Sequence, residues 1–264
     1  MTSSVHPSLL VSYGLQVNAR DVHGYTALHY AAEESLYATS SKLLSLGADA
    51  HSVSDKGETV LHSAAQFSAG KFADNIIKIF LLDHDVNLSA KDWRGYTALH
   101  YAARDLQAVQ FLVQQGADPL TLTNNRETVL RIASFRGLPS IGFFLEQGVD
   151  IHARASHYET VLHRAASAHT VNIITLLLEQ GSDIHAIDSR GRTVLHCAAA
   201  VDNWRWFRLE TLKLLIAHGA LPNLRDASGK TALDILRARE FTGNLISTEY
   251  RDEAIHFLSQ YTSS

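Results

Sequence analysis

The sequence predicts an all-α fold built as a repeat array, and two observations carry this prediction. The nine residues GYTALHYAA occur twice without change, at 24–32 and at 95–103. Aligning the chain on the threonine of this phrase gives seven copies, which start at Thr26, Thr59, Thr97, Thr128, Thr160, Thr193 and Thr231. Copies spaced by 31 to 38 residues are typical of solenoids, in which each unit buries its apolar face only against its neighbours.

Each copy carries local signals for two helices. A turn sequence such as DVHGY precedes the threonine, whose hydroxyl can accept a hydrogen bond from an unpaired amide at a helix start. About twenty residues later an apolar run ends at glycine, where the second helix must finish in a left-handed residue. Five copies have this glycine, at Gly47, Gly116, Gly148, Gly181 and Gly219.

The turn D-x-x-G, the phrase T-x-L-H-x-A-A and the later L-L-x-x-G-A-D resemble the ankyrin repeat, whose period is 33 residues. The resemblance covers about residues 9–240 and implies an ankyrin-repeat solenoid of stacked helix-turn-helix units with β-turn fingers. The chain would then be one domain, 1–264, with a partial repeat at 1–20 and a C-terminal cap helix at 241–264. The full repeats start near 21, 54, 92, 123, 155, 188 and 226. The partial repeat leaves two alternatives open, a half-repeat cap or a piece of a longer array or multidomain protein.

Two departures from the pattern carry expectations of their own. Arg126 and Tyr158 replace the finger glycine in repeats 4 and 5, and we expect remodelled fingers there if the turn needs positive φ. Repeats 2 and 6 contain the longer segments QFSAGKFADN and AVDNWRWFRLE. Insertions of this kind often form binding elements.

Composition argues against several classes of function. The net charge of −4 disfavours nucleic acid as the main partner, and no apolar run is long enough to span a membrane. Cys197 is the only cysteine, which suits the cytoplasm or nucleus. The sequence contains no HExxH motif, Cys/His cluster or phosphate-binding glycine loop, so we expect no cofactor and no metal. We also expect a monomer.

The Thr–His pair of the repeated phrase resembles a nucleophile and its base, but it occurs five times as T-x-L-H. A catalytic constellation occurs once, with a third group that orients the base. With threonine capping the helix, the ring can bond back to it and to the adjoining finger, as in ankyrin-type repeats. We therefore predict that the pair is scaffold and that the chain has no catalytic residue.

The positions that vary between copies predict the binding surface. In ankyrin-like solenoids the changing residues of the finger and the first helix line the concave groove. Trp93 beside Arg94 is the leading candidate, because Trp, Tyr and Arg dominate binding hot spots. The full candidate set is Tyr25, Tyr30, Glu33, Phe67, Trp93, Arg94, Tyr96, Tyr101, Arg104, Asp105 and Phe135. Tyr30 and Tyr101 could instead be partly buried spacers.

The sequence thus predicts a non-enzymatic module that binds a protein or peptide partner on this concave face. Two alternatives remain open at this point. One is an unusual enzyme or small-molecule binder that uses an aromatic and acidic pocket in repeats 1–4. A closed pocket over repeats 1–3 with a buried carboxylate of raised pKa would favour it. The other is a sensing or scaffold segment of a larger multidomain protein.

Overall fold

The computed structural model describes residues 16–66, 77, 80, 84–135, 138–200, 209–238 and 245–262, without the side chains of 138 and 245–250. The chain divides into two compact units. The N-unit comprises Met1–Val129 and Gly142–Gln147, and the C-unit comprises Leu130–Ile141 and Gly148–Ser264. The expectation of a single domain stays a prediction. Phe67 and most of both insertions lie outside the described residues.

Helices follow the threonines as expected. Those before the first unit boundary are α1 Ala27–Glu33, α2 Tyr37–Ser45, α3 Val60–Gln66, α4 Ala98–Ala102 and α5 Leu106–Gln114. Two helices cross a boundary, α6 Val129–Ala133 and α7 Leu138–Glu146. The remaining helices belong to the C-unit: α8 Val161–Ser167, α9 Val171–Glu179, α10 Val194–Ala199, α11 Leu209–Ala217, α12 Ala232–Ala238 and α13 Leu245–Thr262.

The first helix of each repeat is called the inner helix here, and within each unit inner helices of successive repeats pack on one another. In the N-unit α1 contacts α3, which contacts α4, and in the C-unit α8 contacts α10, which contacts α12. The last helix, α13, packs on α11 and α12 and buries Ala254 and Leu258. The leucine two residues after each threonine is buried in all seven repeats, so stacking forms the core as the repeat pattern predicts.

The five residues before each threonine form a finger, which is closed by a hydrogen bond between its first amide and its last carbonyl. Asp21 and Tyr25 make this bond at 2.9 Å, and the other six fingers repeat it at 2.8 to 3.1 Å. Neighbouring fingers are also joined through their backbones. In the N-unit the amide of Trp93 donates to the carbonyl of Lys56 at 2.8 Å, and in the C-unit Ser189 donates to His157 at 2.8 Å. Each unit therefore has a backbone-linked row of fingers.

The second helices end as predicted, with all five glycines in the left-handed region, for example Gly47 at φ 89°. The expectation of remodelled fingers was wrong. Arg126 and Tyr158 both keep φ 59°, and their amides make the same turn bond as Gly95, at 2.9 and 2.8 Å. Their side chains are exposed, so the turn survives with local strain. At Gly95, by contrast, a side chain has no room, because an added Cβ would lie 2.6 Å from the amide nitrogen of Asn124.

Candidate binding face

In repeats 1, 2, 5 and 6 the T-x-L-H histidine lies within hydrogen-bonding distance of its own threonine and of the next finger, a geometry that supports a scaffold role. In repeat 1 the amide of Thr26 donates to Nδ1 of His29 at 3.2 Å, and Nε2 of His29 lies 3.2 Å from the carbonyl of Glu58 in the next finger. Because Nδ1 accepts a hydrogen bond, the ring proton must be on Nε2. The same arrangement recurs at His62, His163 and His196, with Nε2 to carbonyl distances of 3.0, 3.1 and 2.9 Å.

Burial favours the neutral form of four of the five T-x-L-H rings, those of His29, His62, His100 and His163. It lowers the pKa of His29, His62 and His163, although the carbonyl next to each Nε2 offsets part of the effect. The shift is largest at His100, where burial lowers the pKa to about 4. The carbonyl of Glu127 in the next finger offsets part of this effect, although among the described residues the Nε2 of His100 has no partner within strict hydrogen-bonding geometry.

Repeats 4 and 7 have a different residue at the position of the histidine, and the contacts of these residues indicate the role of the histidine. Arg131 takes its position in repeat 4 and reaches the next finger directly, at 2.5 Å from Oε2 of Glu159 and 3.4 Å from the carbonyl of Thr160. Asp234 takes it in repeat 7, where its Oδ2 accepts from the amide and hydroxyl of Thr231 at 3.0 and 2.9 Å. No finger follows repeat 7 within the described residues. The residue at this position therefore has no carbonyl of a next finger to donate to, and a carboxylate, which only accepts, is sufficient.

The two tyrosines of the repeated phrase bind two different carboxylates. The first one reaches the next finger: Tyr25 donates to Glu58, and Tyr96 donates to Oε2 of Glu127 at 2.8 Å. Burial and these bonds raise the pKa of both phenols, that of Tyr96 to about 12. The phrase therefore links repeat 1 to repeat 2 and repeat 3 to repeat 4.

The second tyrosine holds the finger of its own repeat. Tyr30 donates to Oδ2 of Asp21 at 2.7 Å, and Tyr101 lies 2.9 Å from Oδ2 of Asp92. The other oxygen of each aspartate accepts two finger amides, for example those of Arg94 and Tyr96 at 2.9 and 2.8 Å from Asp92. The aspartate thus shapes the finger, and the tyrosine fixes the aspartate.

Tyr101 is the centre of the N-unit network. Its hydroxyl lies 2.9 Å from Oε1 of Glu58 as well as from Asp92, and Nη2 of Arg94 donates to it at 3.4 Å. One hydroxyl proton cannot serve two carboxylates at once, so the Arg94 guanidinium offsets the negative charge that remains. Burial, together with these two carboxylates, raises the pKa of Tyr101.

The predicted site residues fall into two groups: side chains that are exposed to solvent, and side chains whose polar atoms already form bonds within the protein. Trp93 is 63% exposed and Tyr30 48%, and Arg94 and Arg104 also lie on the surface. Asp105 is committed as the N-cap of α5, where Oδ1 accepts the amides of Gln107 and Ala108 at 2.9 and 3.2 Å. Glu33 is half-buried, and burial with the nearby Glu34 and Glu58 raises its pKa.

The C-unit uses arginine where the N-unit uses tyrosine. Glu159 accepts from Arg131 at 2.5 Å and from Arg192 at 3.2 Å, and Arg192 also contacts Oδ2 of Asp188 at 2.7 Å. Phe135, the predicted site residue in this unit, is exposed and lies under the guanidinium of Arg164, whose central carbon is 5.5 Å from the ring centroid.

Sequence reasoning missed these carboxylate partners. A signal for them exists at the last finger position, which reads Tyr25, Glu58, Tyr96, Glu127, Glu159 and Arg192 in successive repeats. Each of the pairs Tyr25 with Glu58, Tyr96 with Glu127 and Arg192 with Glu159 combines a donor with an acceptor. The alternation is visible only when adjacent repeats are aligned.

Three further observations on the described part of the chain concern other kinds of site. There, no three histidine, cysteine, aspartate or glutamate side chains are grouped so that they could hold a metal ion. Burial raises the pKa of the Cys197 thiol to about 12, which makes it a poor nucleophile. None of the helices in the described ranges combines the length and apolar character needed to cross a bilayer.

Comparison with known proteins agrees with the repeat architecture. The family model "Ankyrin repeats (3 copies)" matches residues 37–123 and 129–226. Human ankyrin repeat domain-containing protein 53 is 36% identical over 95 residues, which cover 33% of this chain and 18% of that protein. The putative ankyrin repeat protein L371 of Acanthamoeba polyphaga mimivirus is 24% identical over 228 residues, 83% of this chain and 29% of its own length. The chain thus spans less than a third of either relative.

The fold also matches a solved structure. The crystal structure of the human ASB11 ankyrin repeat domain superposes with a TM-score of 0.69 and 22% identity, covering 89% of this chain and 98% of that one. This similarity confirms the predicted solenoid of helical repeats, and the family model covers more than half of the sequence. The chain belongs to the ankyrin-repeat family.

Proposed function

We propose that this protein binds a protein or peptide partner through the fingers and inner helices of the N-unit. Ankyrin repeats generally mediate protein–protein interactions, and proteins of this fold are typically not enzymes. One observation carries the choice of surface: Trp93, at the tip of the third finger, is 63% exposed. A large aromatic side chain left in solvent is more informative than an exposed aliphatic one, because tryptophan is enriched among interface hot spots.

The finger presents Trp93 on a fixed backbone. Its amide donates to the carbonyl of Lys56 at 2.8 Å, and its carbonyl accepts from Nδ2 of Asn124 at 3.0 Å. Asp92, immediately before it, closes the turn because its Oδ1 accepts hydrogen bonds from the amides of Arg94 and Tyr96. A partner that buries the indole would therefore pay little entropy for ordering the loop that carries it.

The surroundings of Trp93 give the surface a mixed aromatic and charged character. The guanidinium carbon of Arg94 lies 6.0 Å from the Trp93 ring centroid and 4.6 Å from that of Tyr96, distances at which cation–π attraction operates. The hydroxyls of Tyr25, Tyr96 and Tyr101 already form hydrogen bonds to carboxylates within the N-unit. We assign them to positioning the fingers, and Trp93, Arg94 and Tyr30 to direct contact.

The test is affinity capture with the whole chain, followed by measurement of the dissociation constant for the recovered partner. We expect Trp93→Ala to weaken binding by tenfold or more and to leave the melting temperature nearly unchanged. Tyr37→Ala is the matched control, because Tyr37 is 49% exposed on α2 and not on a finger or inner helix.

A second control separates binding from folding. Leu99→Ala should destabilise the protein by about 2–5 kcal/mol, as truncation of a buried leucine does. If Trp93→Ala lowers the melting temperature as Leu99→Ala does, the indole is part of the packing and the assignment is wrong. Equal binding by the Trp93→Ala and Tyr37→Ala variants would also overturn it.

Several sequence predictions remain outside this proposal. The monomeric state, the cytoplasmic or nuclear location, and the absence of nucleic-acid partners stay predictions. The enzyme alternative and the larger-protein alternative also stay predictions of the sequence.

A further inference from the structure

Arg164 occupies a position whose partner is missing. Tyr30 and Tyr101 stand at the same place in their repeats, one residue after the T-x-L-H histidine, and bond to the first residue of their own finger. That first residue is aspartate in both cases, but it is Ala155 in the repeat of Arg164. The fifth repeat therefore presents a permanent positive charge at this position, and its finger has no carboxylate at the first position to pair with it.

The guanidinium of Arg164 is supported on one side by an aromatic ring. Its central carbon lies 5.5 Å from the ring centroid of Phe135, and both side chains are exposed. Stacking of this kind limits the rotamers of the arginine and leaves the N–H groups at the edge of the plane free to donate. Within the described part of the chain, no carboxylate is paired with Arg164.

The adjoining fingers add residues of matching chemistry. The amide of Ser189 donates to the carbonyl of His157 at 2.8 Å, and this bond joins fingers 5 and 6 beside Tyr158 and Arg190. Tyr158 is 61% exposed and holds a left-handed conformation in which glycine is normal. Arg190 is exposed at the tip of finger 6. We call Phe135, Tyr158, Arg164 and Arg190 the arginine face.

The acidic side chains of these two fingers do not neutralise the arginine face. Glu159 is bound by Arg131 and Arg192, and Asp188 is bound by Arg192. Because those carboxylates are already paired, the charges of Arg164 and Arg190 remain available to a partner. The face then has a surplus of positive charge although the whole chain carries a net charge of −4.

We propose that the arginine face binds an acidic peptide segment of a partner protein. One Asp or Glu carboxylate accepts both edge N–H groups of Arg164, and a second contacts Arg190, while the Tyr158 ring covers the apolar part of the segment. Charge complementarity supports this occupant, and a planar fork fits a carboxylate with two parallel hydrogen bonds. The inference rests on the proposed protein-binding function but uses residues other than Trp93.

The test begins with selection of random twelve-residue peptides displayed on phage against the whole chain. We expect the recovered peptides to be enriched in Asp and Glu over the starting library. The Arg164→Gln/Arg190→Gln double variant should lose this enrichment, and the Lys213→Gln variant should keep it. Lys213 is exposed on α11 and serves as the matched control for loss of positive charge away from the face.

A cycle of paired changes then isolates the contact. One selected peptide is synthesised with its Glu or Asp residues and with the corresponding amides, and both forms are titrated against wild type and Arg164→Gln. We expect the amide form to bind wild type at least tenfold more weakly, and the two forms to differ less than threefold on Arg164→Gln. Equal sensitivity of both proteins, recovery of non-acidic peptides, or an equal loss in Lys213→Gln would each overturn the inference.

Trp93→Ala distinguishes this inference from the proposed function. It should leave binding of the acidic peptide within twofold of wild type. If Trp93→Ala weakens binding of the captured partner but Arg164→Gln does not weaken binding of acidic peptides, the N-unit proposal stands and this one fails. If Arg164→Gln weakens binding of acidic peptides but Trp93→Ala weakens binding of no partner, this inference stands and the N-unit proposal fails.

Discussion

The N-unit and the C-unit fill the same finger positions with different chemistry. In the N-unit, Tyr25 and Tyr96 donate from neutral phenols to Glu58 and Glu127. In the C-unit, Glu159 instead receives the charged guanidinium of Arg192, and Arg131 adds a second guanidinium. The repeat needs a donor–acceptor pair between neighbouring fingers, but it does not specify which pair. What differs is the charge left at the surface and the response to acid and salt.

This difference accounts for the two proposed contact surfaces. A phenol leaves the charge of its carboxylate uncompensated, so the N-unit network around Tyr101 is acidic and needs Arg94 within it. Arginine neutralises its carboxylate, so in the C-unit additional arginines such as Arg164 are free for a partner. The aromatic tip at Trp93 and the arginine face are therefore expected to attract different sequences.

Acid should have the largest effect and should act first on the N-unit. The folded pKa of His100 is about 4, below the ordinary value of 6.5, so the unfolded chain takes up a proton first as pH falls. Stability from this group is fully present above about pH 6.5 and is lost on the way down to about pH 4. At pH 5 His100 alone should cost about 2 kcal/mol, from 1.36 kcal/mol per pKa unit.

The comparison in acid is between His100 and the T-x-L-H histidine of α8. His163 in α8 has a lowered pKa, as His29 and His62 have, but the shift is largest at His100. Hydrogen-exchange protection, corrected for the intrinsic pH dependence of exchange, should therefore fall in α4, which carries His100, between pH 7 and pH 5 before it falls in α8. Earlier loss in α8 would contradict the comparison, as would a His100 titration near pH 6.5 by NMR.

Removing one carboxylate from each network should have the next largest effect. Glu159→Gln replaces the carboxylate that Arg131 and Arg192 share with a neutral amide in a largely buried setting, while Arg192 keeps its contact with Asp188. We expect a loss of about 2 kcal/mol. Glu58→Gln still offers an oxygen to one of its two tyrosines, and we expect a loss of about 1 kcal/mol. Urea unfolding of both variants measures the difference.

Salt provides the control for this pair of variants. The cost of Glu159→Gln should shrink between 0.1 and 1 M NaCl, because part of the lost interaction is an ion pair. The cost of Glu58→Gln should change less, because the tyrosines that it binds are neutral. Equal costs with equal salt dependence would show that the two networks are energetically equivalent, contrary to our interpretation.

The sequence predicted the parts of this molecule that most repeats share. The T-x-L-H tie and the glycine at each second-helix end follow from local helix chemistry, so aligning seven copies was enough to find them. The pairing of Tyr101 with Glu58 was not predicted, because it joins residues 43 positions apart that vary between repeats. The capping role of Asp105 was not predicted for a different reason: a carboxylate before a helix can serve either as a cap or as a contact.

The smallest effect concerns finger strain, which the two units share. Arg126 in the N-unit and Tyr158 in the C-unit have the same φ of 59°, a conformation that costs a residue with a Cβ about 1–2 kcal/mol. Arg126→Gly and Tyr158→Gly should each stabilise the protein by about 0.5 kcal/mol, since the extra freedom of glycine in the unfolded chain cancels part of the gain. Thermal melts of the two variants measure this.

The two variants should differ only in binding. Tyr158→Gly removes a ring from the arginine face, so it should weaken the acidic peptide several-fold while raising the melting temperature, whereas Arg126→Gly should raise the melting temperature alone. A strained tyrosine that improves binding at the expense of stability is what selection for function would retain. If Tyr158→Gly instead destabilises the protein, contacts of the ring outweigh its strain, and Tyr158 is there for the fold and not for a partner.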